Sequence, residues 1–142
     1  MRHDLILRVI AKLLIPFILL FALYVQFHGD FGPGGGFQAG VILAAAVIFY
    51  GLIFGLADAR TLVPEPLVES MMAIGVLIYG GVGVAGLLLG GNYLDCFVLD
   101  ANSVHGQHRG IFWVEVGVAV TVSGVMLKIF YMFADRGKVD EE

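Results

Sequence analysis

Four long apolar runs constrain the fold of this chain more than any other feature. They lie at about 5–27, 37–57, 67–90 and 111–134. A helix needs roughly 20 apolar residues to cross the hydrocarbon core of a bilayer, and each run reaches that length. Inside the core every backbone polar group needs an internal partner, which a helix supplies. The sequence therefore predicts an all-α integral membrane protein with four transmembrane helices, forming one membrane domain over residues 1–142.

The overall composition agrees with a membrane protein. Of the 142 residues, 59% are hydrophobic and only 14% are charged, whereas about a quarter of the residues in an average soluble domain are charged. The first apolar run is too long for the apolar region of a signal peptide, and no small-residue cleavage site precedes His28. We expect this run to stay in the protein as its first helix.

The distribution of lysine and arginine predicts the orientation of the chain. Arg109 alone lies on one side of the predicted membrane, and seven basic residues lie on the other: Arg2, Arg8, Lys12, Arg60, Lys128, Arg136 and Lys138. Because basic residues accumulate in cytoplasmic segments, both termini are predicted to be cytoplasmic. The protein is then a multi-pass protein of the cell (inner) membrane, with the segments 28–36 and 91–110 on the outer side.

A glycine-rich turn joins the first two predicted helices. It reads His-Gly-Asp-Phe-Gly-Pro-Gly-Gly-Gly-Phe-Gln-Ala-Gly over residues 28–40. Glycine lets two backbones approach closely, and proline fixes its own φ. The Gly-Lys-Ser/Thr ending of a phosphate-binding loop is absent. We therefore predict a packing element made of Pro33, Gly34, Gly35, Gly36 and Phe37, with Phe37 as its plug, and keep small-anion binding at the helix start as the alternative.

Glu115 is the acidic residue whose position most suggests a function. It lies about one turn inside the fourth predicted helix, roughly 6 Å below the outer edge at 1.5 Å per residue. One interpretation is a carboxylate at headgroup level, bonded to water or Arg109. The other is a gate or relay on a cation or proton path, with Gln38 as a neutral polar ligand. Thirteen residues separate Glu115 from Lys128, so the two are predicted to lie on nearly opposite helix faces and not to pair.

The sequence offers no sign of a catalytic residue, a cofactor or a metal. All four histidines lie outside the apolar runs, which excludes a haem held between helices by two histidines. Cys96 is the single cysteine, and His105 and His108 match no strong zinc spacing. The chain also lacks the basic patch of a nucleic-acid-binding protein.

Small residues recur at four-residue spacing along the predicted helices. The pairs are Gly40 with Ala44, Gly51 with Gly55, Gly81 with Ala85, Gly86 with Gly90, and Gly117 with Thr121. Such pairs let helices pack closely in lipid, where van der Waals contact is the main attraction. Four helices do not easily bury all of these patches, so contact with other membrane subunits is expected.

The residues of the glycine-rich turn also carry a family resemblance. The motif Pro33–Phe37, preceded by His28-Gly29-Asp30 and followed by the small-residue helix 39–57, resembles the MnhB (MrpB) subunit of multisubunit Na⁺/H⁺ antiporters of the Mrp (Mnh) type. The length and the four-helix plan agree. The resemblance implies an accessory membrane subunit, not an enzyme, that works beside small subunits and large multispan subunits similar to the proton-pumping arm of respiratory complex I. Na⁺ and H⁺ would be the transported ions.

Three alternatives remain open at this point. Similar subunits occur in membrane-bound hydrogenase assemblies. A self-sufficient homodimeric, proton-coupled transporter would have a comparable size, but that class needs a carboxylate central in the first helix, and residues 13–27 contain none. A scaffold that never contacts an ion is the third alternative.

Overall fold

The computed structural model describes residues 2–29, 34–99 and 103–139. Its helices are α1 (Arg2–Phe27), α2 (Gly36–Phe54), α3 (Leu56–Leu62), α4 (Glu65–Leu88) and α5 (Ser103–Val139), with a short 3-10 helix at Cys96–Leu99. Four of them, α1, α2, α4 and α5, are long and apolar enough to cross a membrane. The predicted all-α fold with four membrane-spanning helices is confirmed.

Helix α5 lies at the centre of the arrangement, between α2 and α4, and α1 packs on α2. A Cβ atom added at Gly36, Gly40 or Gly51 of α2 would meet Glu115, Ala119 or Phe130 of α5, respectively. These partners follow one another in the same order along both helices, so α2 and α5 run parallel. On the other side, Gly75 faces Gly117 and Gly124 faces Met72, so α4 runs antiparallel to α5.

The contacts between helices are made mainly by small residues. Most of the buried apolar residues that the structure describes are alanines, and one buried cluster combines Ala44 and Ala59 with the larger Val68, Leu127 and Tyr131. Most large apolar side chains point away from the neighbouring helices instead, and α1 is the clearest case because only 11% of its membrane-spanning window is buried. Lipid is as apolar as leucine, so a leucine gains little from leaving it, whereas a small residue lets a neighbouring backbone come close.

The second predicted helix ends earlier than expected. The apolar run continues to Ala57, but α2 ends at Phe54 and the chain resumes as the separate helix α3. Gly55 lies between them with φ of 110°, a conformation that side-chain-bearing residues rarely adopt. Its N–H still donates to the carbonyl of Gly51 at 3.0 Å, so Gly55 closes α2 and turns the chain.

The last helix begins before its apolar run. The prediction placed its start at Ile111, but α5 starts at Ser103 and continues to Val139, a total of 37 residues. At 1.5 Å per residue this is about 55 Å, well beyond the roughly 30 Å of a hydrocarbon core. The segment predicted as a long loop, 91–110, is therefore partly helical. Smaller differences are the starts of α1 at Arg2 and of α4 at Glu65, and the end of α4 at Leu88.

The 3-10 helix packs on the early part of α5. Gly110 makes this contact possible, because a Cβ atom there would lie 2.5 Å from Cβ of Cys96. Cys96 is a free cysteine and is buried. Burial raises the pKa of its thiol above the ordinary value, with a smaller contribution from the negative charge of Asp95.

Candidate ion site at the glycine-rich turn

The carboxylate of Glu115 lies against the two described ends of the glycine-rich turn. A Cβ atom added at Gly29 would lie 3.1 Å from Oε2 of Glu115, and one added at Gly35 would lie 3.1 Å from Oε1. Both distances are shorter than ordinary van der Waals contact. We call Gly29, Gly34, Gly35 and Gly36 together with the Glu115 carboxylate the glycine cradle. Its close fit depends on the absence of side chains at these positions.

Gly36 brings the backbones of α2 and α5 into direct contact. A Cβ atom at this position would overlap the backbone of Glu115, at 2.7 Å from its carbonyl carbon and 2.9 Å from its Cα. Gly36 is buried and is the first residue of α2. The start of α2 is therefore fixed at the level of Glu115.

The start of α2 is also electrostatically suited to a carboxylate. Gly35 is the capping residue and offers no side-chain hydrogen bond. The first N–H groups of a helix have no partner within the helix, and the helix dipole favours negative charge near them. Glu115 lies beside this helix start. A small anion at this helix start would therefore have to share the place with the Glu115 carboxylate.

The structure brings most of the predicted site residues together. The Cβ position at Gly35 that lies close to Glu115 is also 3.7 Å from Oε1 of Gln38, so both side-chain oxygens flank one point. Gly34 faces α1, where a Cβ atom would lie 2.9 Å from Cγ1 of Val25. Pro33 lies outside the described residues.

Phe37 is mostly exposed in the part of the chain that the structure describes. Its side chain is 62% exposed at the start of α2. That Phe37 acts as a plug therefore stays a prediction, which needs a surface outside the described residues.

Sequence reasoning missed one polar residue near the cradle. Gln26 is only 7% exposed, and neither Oε1 nor Nε2 of its amide has a hydrogen-bond partner in the described part of the chain. It adjoins Val25, which contacts Gly34. A buried amide without a hydrogen-bond partner costs free energy, so we regard Gln26 as a candidate functional residue. Its sequence signal was a glutamine one residue from the end of an apolar helix.

Charged side chains gather at the opposite end of the helices. Nζ of Lys128 lies 2.7 Å from Oε1 of Glu69 and 3.3 Å from Oε2 of Glu65. Arg60 pairs with Glu65 at 3.1 Å and also with Asp135. We call these five residues the charge cluster. Lys128 contacts carboxylates on α4, at the end of α5 away from Glu115, which agrees with the prediction that the two do not pair.

Tyr131 of α5 forms hydrogen bonds with the backbone of α3 and of the residue that follows it, at the same end of the helices as the charge cluster. Its hydroxyl donates to the carbonyl of Val63 at 2.9 Å and lies 3.3 Å from that of Ala59. The guanidinium of Arg60 lies over the Tyr131 ring, 5.4 Å from its centre. The carboxylate of Asp135, which accepts a hydrogen bond from Arg60, raises the pKa of the guanidinium. Arg60 therefore stays charged in this environment.

No metal centre is formed by the residues that the structure describes, because among them no three His, Cys, Asp or Glu side chains are grouped to hold an ion. The features that stand out are four membrane-spanning helices, one carboxylate enclosed by glycines near one end, and a charge cluster at the other. These features define a multi-pass membrane protein.

Comparison with known proteins identifies the family. A family model described as a domain related to the MnhB subunit of Na⁺/H⁺ antiporter matches residues 6–128. This chain belongs to that family, which confirms the resemblance expected from the motif at Pro33–Phe37. The chain is 30% identical over 130 residues to the Na⁺/H⁺ antiporter B subunit of Alkalihalophilus pseudofirmus, covering 84% of this chain and 90% of the relative. It is 27% identical over 132 residues to the putative antiporter subunit mnhB2 of Staphylococcus aureus strain Newman, covering 89% of this chain and 92% of the relative.

Proposed function

We propose that this chain is an accessory subunit of a multisubunit Na⁺/H⁺ antiporter in the cell membrane, and that Glu115 contributes a carboxylate to the path of a cation or proton. Membership of the MnhB family and relatives named as antiporter subunits support the first part. The observation that carries the second part is the glycine cradle around the Glu115 carboxylate. Large multispan subunits and small subunits would be its partners.

The spacing of charges along the helices supports an accessory role. Between Glu115 and Lys128, α5 contains no acidic or basic residue, and α2 contains none from Gly36 to Phe54. Thirteen residues of helix correspond to about 20 Å. An ion that crosses this distance needs polar groups along its way, which other subunits would have to supply. This favours a subunit over a self-sufficient homodimer, and the named relatives favour an antiporter over a hydrogenase assembly.

The proposed orientation places the glycine cradle on the outer side. The charge cluster and the basic residues Arg8, Lys12 and Arg136 all belong to the opposite helix ends. Basic residues favour the cytoplasmic side, so both termini are proposed to be cytoplasmic. Glu115 would then exchange its cation or proton with the external solution.

The chemistry of the cradle suits a small hard cation or a proton. Glu115 offers two carboxylate oxygens and Gln38 one amide oxygen at the same place. Oxygen donors of this kind are the ligands that hard cations prefer. The described glycines beside these oxygens, Gly29 and Gly35, place no side chain of their own in the way of an approaching ion or water. Antiport moves ions without making or breaking covalent bonds, so no catalytic residue is needed.

The first test replaces Glu115 by glutamine in the intact antiporter complex. Glutamine keeps the size of the side chain but removes its negative charge and titratable proton, so we expect Na⁺-dependent proton exchange to fall roughly tenfold or more while the complex still assembles. Exchange is measured by acridine orange fluorescence in everted vesicles, and assembly by recovery of all subunits with a tagged partner. Glu115→Asp, which keeps the charge, should retain part of the exchange.

Asp58→Asn is the matched control, because Asp58 is an exposed carboxylate on α3, away from the cradle. We expect it to leave both readouts unchanged. Full exchange by a normally assembled Glu115→Gln complex would remove Glu115 from the ion path. Loss of the complex in that variant would instead assign the carboxylate a role in holding the turn.

A further inference from the structure

Arg8 and Lys12 form a pair of cations at the charge-cluster end of α1. They are one helical turn apart, and both approach the ring of Phe54 on α2. Cζ of Arg8 lies 6.0 Å from the ring centre and Nζ of Lys12 lies 5.8 Å from it. Two like charges four residues apart on a helix repel each other. One ring at the limit of cation–π distance does not neutralise them, so the pair favours an anion beside it.

The carboxylates of this end are already engaged elsewhere. Glu65, Glu69 and Asp135 pair with Arg60 and Lys128 on the α3–α5 side. Among the side chains that the structure describes, no carboxylate is paired with Arg8 or Lys12. Within the described residues, the ion pairs at this end of the helices therefore leave the charges of Arg8 and Lys12 uncompensated.

The depth of the pair matches the boundary between hydrocarbon and headgroups. Arg8 and Lys12 precede Phe27, at the far end of α1, by 19 and 15 residues, which is about 28 and 22 Å. Phe54 follows Gly36 by 18 residues, or about 27 Å. A hydrocarbon core is roughly 30 Å thick, so Arg8 and Phe54 lie at its edge and Lys12 can extend its amine to the same level.

A hollow lined by Arg8 and three apolar side chains lies beside this pair. It has a volume of about 200 Å³ and is lined by Leu7, Arg8, Leu52 and Ile53, between α1 and α2. Leu52 is 69% exposed, so the hollow opens toward the surroundings of the bundle. Cations at headgroup depth beside the apolar side chains of Leu7, Leu52 and Ile53 correspond to the two parts of a phospholipid.

We propose that Arg8, Lys12 and Phe54 form a binding site for the headgroup of an anionic phospholipid, whose acyl chain lies along Leu7, Leu52 and Ile53. The guanidinium of arginine can bind a phosphate with two hydrogen bonds, and the lysine amine adds a second charge. Basic pockets between membrane helices recognise anionic headgroups by this chemistry. A carboxylate of a neighbouring subunit is the other anion that could satisfy these charges, and the experiment below distinguishes it from a lipid.

Native mass spectrometry of the purified full chain tests the site. The chain is offered phosphatidylglycerol or phosphatidylcholine with matched acyl chains, and the bound lipid is counted. Each basic residue near a membrane surface strengthens binding of anionic lipid several-fold, so we expect a preference of about tenfold or more for phosphatidylglycerol. The double variant Arg8→Gln with Lys12→Gln should bind both lipids alike.

The matched control is Arg136→Gln with Lys138→Gln, which removes the same charge from the end of α5 and should keep the preference. Arg8→Lys, which keeps the charge, should keep most of it, and far-ultraviolet circular dichroism checks that each variant remains helical. If the wild-type chain shows no preference, or the Arg8/Lys12 variant keeps it, the proposal is wrong. The proposal also fails if the intact complex carries no anionic lipid at this position and the double variant loses a partner subunit, because a partner's carboxylate is then the occupant.

Discussion

The glycine cradle and the charge cluster hold charged groups in opposite ways. In the cradle, the Glu115 carboxylate fits against backbone, and the fit exists because Gly29, Gly35 and Gly36 lack side chains. In the charge cluster, five charged side chains pair with one another while remaining partly exposed, with Glu69 at 59% and Lys128 at 26% side-chain exposure. In the cradle there is no room for an added atom. In the charge cluster, the loss of one ion pair leaves other ion pairs in place. We therefore expect the addition of one methyl group to the cradle to matter more than the removal of one charge from the cluster.

The largest effect is expected from Gly36→Ala. The new Cβ would overlap the backbone of Glu115, and backbone cannot move aside as a flexible side chain can. Overpacking of this kind costs about 1–3 kcal/mol or more, and here it would separate the start of α2 from α5. We predict a clear fall in the unfolding temperature of the purified chain in detergent and a loss of recovered complex.

Gly80→Ala is the control for this prediction, since a Cβ atom at Gly80 would meet nothing within 4 Å. Alanine also favours helix over glycine by up to about 1 kcal/mol, so this variant should be neutral or slightly more stable. Equal behaviour of the two variants would mean that the close approach at Gly36 contributes nothing to stability.

An intermediate loss of stability is expected from Tyr131→Phe, at the end of the helices that carries the charge cluster. Tyr131 is only 1% exposed, and its hydroxyl donates to the carbonyl of Val63 where α3 ends. Removing that hydrogen bond should cost about 1 kcal/mol, measured as a lower unfolding temperature. Tyr79→Phe serves as the comparison, because the Tyr79 side chain is 38% exposed. A loss no larger than that of Tyr79→Phe would show that the hydroxyl does not hold α3 in place.

The four helices and part of the cradle could be predicted from the sequence, and the physical reason differs from element to element. Length and apolarity alone decide whether a segment can cross a membrane, so the four spans were predictable. The helix end at Gly55 could not be predicted, because the sequence does not distinguish a glycine that lets helices pack from a glycine that adopts a positive φ. The polar start of α5 before Ile111 was missed because a helix outside the hydrocarbon core shows no apolar signal.

The partners of each charge were harder to predict than the charges themselves. Glu115 was recognisable because an acidic residue inside an apolar run is costly. Its contact with Gly29 and Gly35 depends on the parallel packing of α2 and α5, which no local pattern encodes. The angle between their positions on the helix predicts that Lys128 and Glu115 do not pair. That Lys128 pairs with Glu65 and Glu69 instead follows from the antiparallel packing of α4 on α5.

The smallest effect is expected from Lys128→Gln. Arg60 would still pair with Glu65 and Asp135 after this change, so α3, α4 and α5 would remain connected. Partly exposed ion pairs contribute little and are screened by salt, with a Debye length of about 3 Å at 1 M. The fall in unfolding temperature should therefore be smaller than for Tyr131→Phe and should shrink between 0.1 and 1 M NaCl, whereas the effect of Gly36→Ala should not depend on salt. A salt-independent loss in Lys128→Gln as large as that of Gly36→Ala would contradict the distinction between the two ends, because the cluster would then be as rigidly required as the cradle.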